Sequence, residues 1–159
     1  MDIISHSLWG YGLFGRTRPW LALGFGAMPD LVSFGAFALI RVVTNNYSPG
    51  KPPLEIIPGW CFFLYDLSHS LLIASLLTTL VWRWKKSVAV AMLAWPFHIL
   101  LDIPFHTRYY FPTKLFYPLS NWFFDGIAWS QPVVWFPNIA GVLLITTYRL
   151  CQRRRGKTE

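Results

Sequence analysis

The sequence predicts an all-α integral membrane protein with about four transmembrane helices, an N-terminal half-helix and an interfacial or re-entrant aromatic segment. Two observations support this class. Hydrophobic residues make up 54% and charged residues 13% of the 159 positions, which is outside the usual range of soluble globular domains. In addition, four apolar stretches have about the length that a helix needs to cross a bilayer. The whole chain, residues 1–159, is therefore expected to form a single transmembrane helical domain.

The elements follow one another along the chain. Residues 3–15 are apolar but too few to cross ~30 Å of hydrocarbon, so they predict a half-helix. Four longer apolar stretches predict spans, at residues 20–42, 60–82, 87–105 and 132–150. Residues 43–59 are rich in Pro, Gly and Asn and predict a loop. Residues 107–131 are too aromatic for a simply solvated loop, which favours an interfacial or re-entrant segment.

The basic residues indicate an orientation. Ten of them share the face that is predicted to be cytoplasmic: Arg16, Arg18, Arg83, Lys85, Lys86, Arg149, Arg153, Arg154, Arg155 and Lys157. The opposite face receives four, Arg41, Lys51, Arg108 and Lys114. By the positive-inside rule this predicts an inner (plasma) membrane protein with cytoplasmic N- and C-termini. The basic residues form no stripe with interleaved aromatics, so a nucleic-acid partner is not expected.

Ionisable residues interrupt the apolar segments. All four histidines and three aspartates lie in or at the edge of these segments: His6, His69, His98, His106, Asp30, Asp66 and Asp102. A charge at the bilayer centre costs roughly 2.5 to 3.5 kcal/mol on insertion scales. Three carboxylates in the membrane therefore need a compensating partner.

These residues are predicted to meet in one layer of the membrane. Counting ~1.5 Å per residue from the cytoplasmic flank of each segment gives depths of roughly 15, 18, 21 and 18 Å for His6, Asp30, His69 and His98. Helical spacing adds Asp66 to the face of His69, and Asp102 to the face of His98. Imidazoles and carboxylates in this arrangement favour one or two divalent metal ions, zinc above all, with a predicted ligand set of His6, Asp30, Asp66, His69, His98 and Asp102.

Other interpretations of single residues stay open. A lone histidine in a membrane helix is more often an interhelical hydrogen-bond donor than a ligand, and Asp66 could orient His69 without touching a metal. Because Pro104 bends the chain, His106 either joins the ligand set or faces a substrate. Asp125 could be a ligand, a general base or the cap of a turn.

Four motifs also carry a family resemblance: SerHisSerLeu at 5–8, MetProAspLeu at 28–31, LeuSerHisSerLeu at 67–71 and HisIleLeuLeuAsp at 98–102. In order and spacing they resemble the membrane-bound metal-dependent hydrolases, also called LexA-binding inner-membrane-associated hydrolases. The resemblance covers roughly residues 1–125. It implies metal positions at His6, Asp30, His69, His98 and Asp102, and a distant similarity to zinc-dependent phospholipase C.

The sequence departs from the family pattern at two places. The third motif has LeuSerHisSer in place of GlyPheThrHisSer, and Ser33 stands near the position of a usual second acidic residue. The number of metal ions is therefore left open.

These observations together predict a membrane-embedded, metal-dependent hydrolase. Its expected substrate is a membrane phospholipid or another lipid phosphoester, cleaved by a metal-activated water. Arg108 would stabilise the developing charge, and His106 or Asp125 would handle the proton. The alternatives are a non-catalytic metal- or haem-binding membrane protein and a structural subunit of a membrane complex.

Overall fold

The computed structural model describes residues 1–155 and confirms the all-helical class. Helices make up 69% of the chain, and residues 1–155 contain no β-strand. The α-helices are α1 Ile3–Phe14, α2 Pro19–Asp30, α3 Ala36–Val43, α4 Gly59–Ser68, α5 Leu71–Trp84, α6 Lys86–Met92, α7 Ala94–Asp102 and α8 Pro132–Arg155. Lys157, one of the basic residues used for the orientation, lies outside the described residues, as does the end of the predicted domain at 159.

Three helical segments are long and apolar enough to cross a membrane: Pro19–Val43, Lys86–Phe105 and Pro132–Arg155. A fourth span exists if α4 and α5 are taken together, although their axes differ by 52°. The stretch predicted as a span at residues 60–82 is thus bent, as in a broken span or a re-entrant loop. α1 has 12 residues, or roughly 18 Å at the α-helical rise, and is the predicted half-helix. Large apolar side chains such as Val43 and Leu144 are 76% and 73% exposed, as expected of lipid-facing positions.

Three irregular turns fall beside ionisable residues of the apolar segments. After Asp30 the backbone widens into a π-helical turn, Leu31–Gly35, and Pro29 leaves the preceding turn without one backbone donor. α4 ends at Ser68, and α5 starts two residues after His69 with Ser70 as its N-cap. A 3₁₀ turn, Ile103–Phe105, follows Asp102. Irregular backbone within a membrane is tolerated where it lines a buried polar site.

Glycines bring α1 close to α2. A Cβ at Gly26 would lie 2.5 Å from the His6 carbonyl oxygen, and a Cβ at Gly10 would lie 2.7 Å from the Ala22 carbonyl oxygen. Small residues at such positions let the backbones of membrane helices approach each other. The contact places His6 against the middle of α2.

The aromatic segment between α7 and α8 packs against the helices. Phe111, Thr113 and Leu115 are buried, and the Ser70 hydroxyl donates a 2.7 Å hydrogen bond to the Tyr117 carbonyl. Further along, backbone N–H groups of Gly126, Ile127 and Trp129 donate to carbonyls of residues 104–106 at 2.9 to 3.1 Å. The segment therefore covers the end of α7 and is no simple surface loop.

Candidate metal centre

Six ionisable side chains from four parts of the chain meet in the interior. α1 contributes His6, α2 contributes Asp30, and the break between α4 and α5 contributes His69. The remaining three come from α7 and the end of the 3₁₀ turn after it: His98, Asp102 and His106. We call these six residues the His/Asp cluster. Five of them are at most 7% exposed, and the His106 side chain is 12% exposed. The convergence predicted from helix depth is thus present.

Asp30, His69 and His98 form one compact triad. The Nε2 atoms of His69 and His98 lie 3.2 Å apart, and Asp30 Oδ1 lies 3.5 Å from the former and 3.9 Å from the latter. Ligand atoms of a tetrahedral zinc ion, with bonds of about 2.0 to 2.2 Å, are separated by roughly 3.3 to 3.6 Å. The three atoms therefore have the spacing of ligands that share one ion.

Asp102 lies between two groups of imidazoles. Its Oδ2 atom is 3.1 Å from His98 Nε2 and 3.7 Å from His69 Nε2. Its Oδ1 atom is 3.0 Å from His6 Nε2 and 3.4 Å from His106 Nε2, and it also accepts a hydrogen bond from the Met1 amino group. The two oxygens of one carboxylate thus face different histidines.

Backbone carbonyls define the position of one ring hydrogen in three histidines. His98 Nδ1 lies 2.7 Å from the Gly26 carbonyl oxygen, His69 Nδ1 lies 3.0 Å from that of Tyr65, and His106 Nδ1 lies 2.8 Å from that of Phe111. A carbonyl oxygen can only accept, so each Nδ1 carries the hydrogen. In the neutral ring Nε2 then presents a lone pair, and all three Nε2 atoms point into the cluster.

The centre of the cluster is consequently short of hydrogen-bond donors. Within residues 1–155, His6 Nδ1, Asp30 Oδ2 and Asp102 Oδ2 are buried and have no hydrogen-bond partner. Where an unprotonated imidazole nitrogen faces a carboxylate oxygen, two acceptors meet and repel each other. A divalent cation bound between them satisfies both, and imidazole with carboxylate is a ligand set that zinc and similar ions accept. The residues present therefore fit a metal ion.

Tyr65 and Ser68 support the cluster, although neither was predicted from the sequence. The Tyr65 ring stacks on His69 at 3.8 Å between centroids, and its hydroxyl lies 2.8 Å from His106 Nδ1. The Ser68 hydroxyl donates to the Pro29 carbonyl at 3.1 Å and links α4 to α2. The spacing of four between Tyr65 and His69 is a helical signal that could have indicated the stacking contact.

Asp66, a predicted ligand, lies elsewhere. Its Oδ2 atom accepts a 2.7 Å hydrogen bond from Lys114 Nζ, and this partly buried ion pair joins α4 to the aromatic segment. The predicted pairing of Asp66 with His69 on one helical face does not form: Asp66 binds Lys114, whereas Tyr65 is the residue of α4 that contacts His69.

Arg108 and Asp125, two of the three predicted catalytic residues, bind each other. Asp125 accepts hydrogen bonds from the backbone N–H of Arg108, at 2.8 Å, and from its guanidinium Nε. These two bonds lower the pKa of the Asp125 carboxyl below its ordinary value. Both side chains are well exposed, whereas His106, the third predicted catalytic residue, belongs to the His/Asp cluster.

A groove beside the cluster faces outward between α1, α7 and α8. It has a volume of about 240 Å³ and a mostly apolar lining that includes Leu101, Phe105 and Val134. Met1, whose amino group contacts Asp102, also lines it. A single residue, Met1, thus lies between the groove and the His/Asp cluster.

Comparisons of the chain with protein-family models, curated protein sequences and solved structures find no match. The resemblance to membrane-bound metal-dependent hydrolases consequently stays a prediction from the four motifs.

Proposed function

We propose that the protein is a membrane-embedded, metal-dependent hydrolase with an ion held by Asp30, His69 and His98 beside Asp102. One observation carries the metal: two Nε2 atoms face each other at 3.2 Å while both Nδ1 atoms donate to carbonyls. Bound there, a divalent ion of the zinc type supplies a Lewis acid and lowers the pKa of a coordinated water to about 7.

Electrostatics support a divalent metal ion at this site. The ionised forms of Asp30 and Asp102 bring two negative charges into the interior of a chain with long apolar helices. One divalent cation balances both, whereas leaving them uncompensated at the bilayer centre costs roughly 5 to 7 kcal/mol. Protonated imidazoles and the Met1 ammonium, which contacts Asp102, are the rival sources of positive charge, so metal content distinguishes a bound ion from them.

The proposed substrate is a phospholipid or another lipid phosphoester. The apolar groove beside Met1 suits an acyl chain, and Arg108 and Lys114 supply positive charge on the aromatic segment. Each of these cations is paired with a carboxylate, so a phosphate group would have to replace Asp125 or Asp66. Arginine suits this exchange because its guanidinium binds phosphate with two parallel hydrogen bonds.

His106 is the proposed proton-transfer residue. It is the most exposed histidine of the cluster, and its Nε2 lone pair lies 3.4 Å from Asp102 Oδ1. The carbonyl of Phe111 holds its Nδ1 hydrogen, so Nε2 is the atom that would take up and release a proton. Asp125, held by Arg108, would act only after that pair opens.

The proposed location is the inner membrane, with the basic ends of the helices in the cytoplasm. Arg16 and Arg18 follow α1, Arg83 to Lys86 join α5 to α6, and Arg153 to Arg155 end α8. Such a distribution follows the positive-inside rule. Met1 itself is buried beside Asp102, so the proposal concerns the Phe14 end of α1.

Metal analysis and a phosphoester assay together test the proposal. Purified wild-type protein should contain a divalent metal and release phosphate or a phosphorylated headgroup from lipid substrates. Asp30→Asn should lose both, whereas Asp66→Asn, a matched carboxylate outside the cluster, should keep the metal. Wild-type protein without bound metal after growth in metal-supplemented medium would contradict the proposal.

A non-catalytic metal protein is the second candidate. The burial of the cluster favours it, because a structural ion is enclosed by protein ligands while a catalytic ion keeps a position for water. Metal without hydrolysis of any phosphoester would support this alternative. The haem alternative is less compatible with the geometry, because the His6 and His98 rings stack on each other at 3.6 Å and leave no space for a macrocycle between them.

A further inference from the structure

We infer that the His/Asp cluster holds two cations, and that the Asp102 carboxylate bridges them. The inference rests on the proposed metal site and adds a second position, formed by His6, His106 and Asp102 Oδ1. The first position is that of Asp30, His69 and His98, on the Oδ2 side of Asp102.

The contacts of Asp102 carry the inference. Each oxygen of this fully buried side chain faces two Nε2 atoms, at 3.1 and 3.7 Å for Oδ2 and at 3.0 and 3.4 Å for Oδ1. These separations are close to the roughly 3.3 to 3.6 Å between ligands of one tetrahedral ion. A carboxylate with one oxygen in each of two such groups has the arrangement of a bridging ligand.

The two histidines that face Asp102 Oδ1, His6 and His106, are suitable metal ligands. His106 Nε2 carries a lone pair, because its Nδ1 donates to the Phe111 carbonyl. An ion bound here would use that lone pair, so in the two-ion form the proton-transfer role proposed for His106 would fall to Asp125, the other predicted candidate. His6 stacks on His98, which places its ring directly beside the first position. The Met1 amino group also contacts Oδ1, so a cation bound there would replace or share that contact.

Charge explains how a second ion would be accommodated. One divalent ion balances Asp30 and Asp102, so a second ion that replaces the Met1 ammonium at Oδ1 leaves an excess of two positive charges. In a low-dielectric interior this excess requires an anion, and a phosphate group supplies it. The second position therefore agrees with a phosphoester substrate and would attract it.

Manganese loading tests the inference. Wild-type protein in detergent is stripped with a chelator, loaded with Mn²⁺ in the presence of inorganic phosphate and freed of unbound metal. We expect two ions per chain by elemental analysis, with the broadened paramagnetic resonance spectrum of a carboxylate-bridged pair. His106→Ala should bind one ion and give the six-line spectrum of isolated Mn²⁺, while Asp66→Asn should match the wild type.

The outcomes separate the two proposals. A single ion per chain at saturating Mn²⁺, or a His106→Ala variant that still binds two, would overturn the second position and leave the first. Absence of any bound ion would overturn both. The wild-type count needs no substitution, so a variant that fails to fold does not weaken the test.

Discussion

The Nε2 atoms of His69 and His98 face each other, 3.2 Å apart, while the Nδ1 atom of each ring donates to a backbone carbonyl. The fold holds the α4–α5 break and α7 in this arrangement, although two neutral imidazoles would repel each other there. A cation between the rings turns this repulsion into a cross-link between the α4–α5 break and α7.

Metal should therefore stabilise the fold, and His98→Gln should abolish the effect. A ligand at 100 times its dissociation constant stabilises the folded state by about 2.7 kcal/mol, provided that it binds only that state. We expect added Zn²⁺ to raise the Tm of stripped wild-type protein and to leave that of His98→Gln unchanged. Asp66→Asn serves as control and should respond like the wild type. An equal rise for wild type and His98→Gln would show that the ion binds elsewhere.

Gly26→Ala should displace His6. The added Cβ would lie 2.5 Å from the His6 carbonyl oxygen, so α1 must move away from α2. We expect a lower Tm and weaker metal binding. Gly24→Ala is the matched control, because nothing lies within 4 Å of its added Cβ, and alanine favours a helix over glycine by about 0.5 to 1 kcal/mol. If both variants behave alike, the close contact of α1 with α2 is not what positions His6.

Tyr65→Phe should weaken metal binding while the fold persists. Phenylalanine keeps the ring that stacks on His69 but removes the hydroxyl that lies 2.8 Å from His106 Nδ1. Loss of such an orienting partner typically lowers metal affinity 10- to 100-fold. Competition with a chelator of known affinity measures the change. Tyr110→Phe removes a hydroxyl that donates to the Pro52 carbonyl at 3.0 Å, away from the cluster, and should leave the affinity unaltered.

The Arg108–Asp125 pair should respond to acid. Hydrogen bonds from the Arg108 backbone and guanidinium hold the pKa of Asp125 below its ordinary value of 3.8. Its contribution to stability is therefore present above 3.8 and is lost as the pH falls through the lower pKa of the folded state. The difference in Tm between wild type and Asp125→Asn, measured between about pH 2 and 6, should shrink toward the acid end. A difference that grows on acidification would mean that the carboxyl is stabilised in its neutral form.

Most of the His/Asp cluster could be predicted because helices rise uniformly. Counting residues from the basic flanks gives His6, Asp30 and His98 similar depths, and this calculation needs only helix between each residue and its basic flank. The class of the fold likewise follows from the length of its apolar stretches.

The placement of the other site residues could not be predicted, because helical spacing does not identify their partners. Helical spacing predicts Asp66 on the face of His69, but Asp66 binds Lys114 of the aromatic segment, and no pattern in the sequence predicts that partner. Arg108 and Asp125 lie in a segment without helical periodicity, and no pattern predicts that they pair. Tyr65 was missed because its spacing to His69 resembles that of any apolar pair.

The hydrogen bonds that join residues 126–129 to the end of α7 use backbone atoms, and Gly126 is constrained by space, since a Cβ there would lie 2.2 Å from the Pro104 carbonyl oxygen. Next to it, the exposed Ile127 could be replaced without loss of these hydrogen bonds. Homologous chains could diversify here in the molecules they accept while keeping the same buried polar centre.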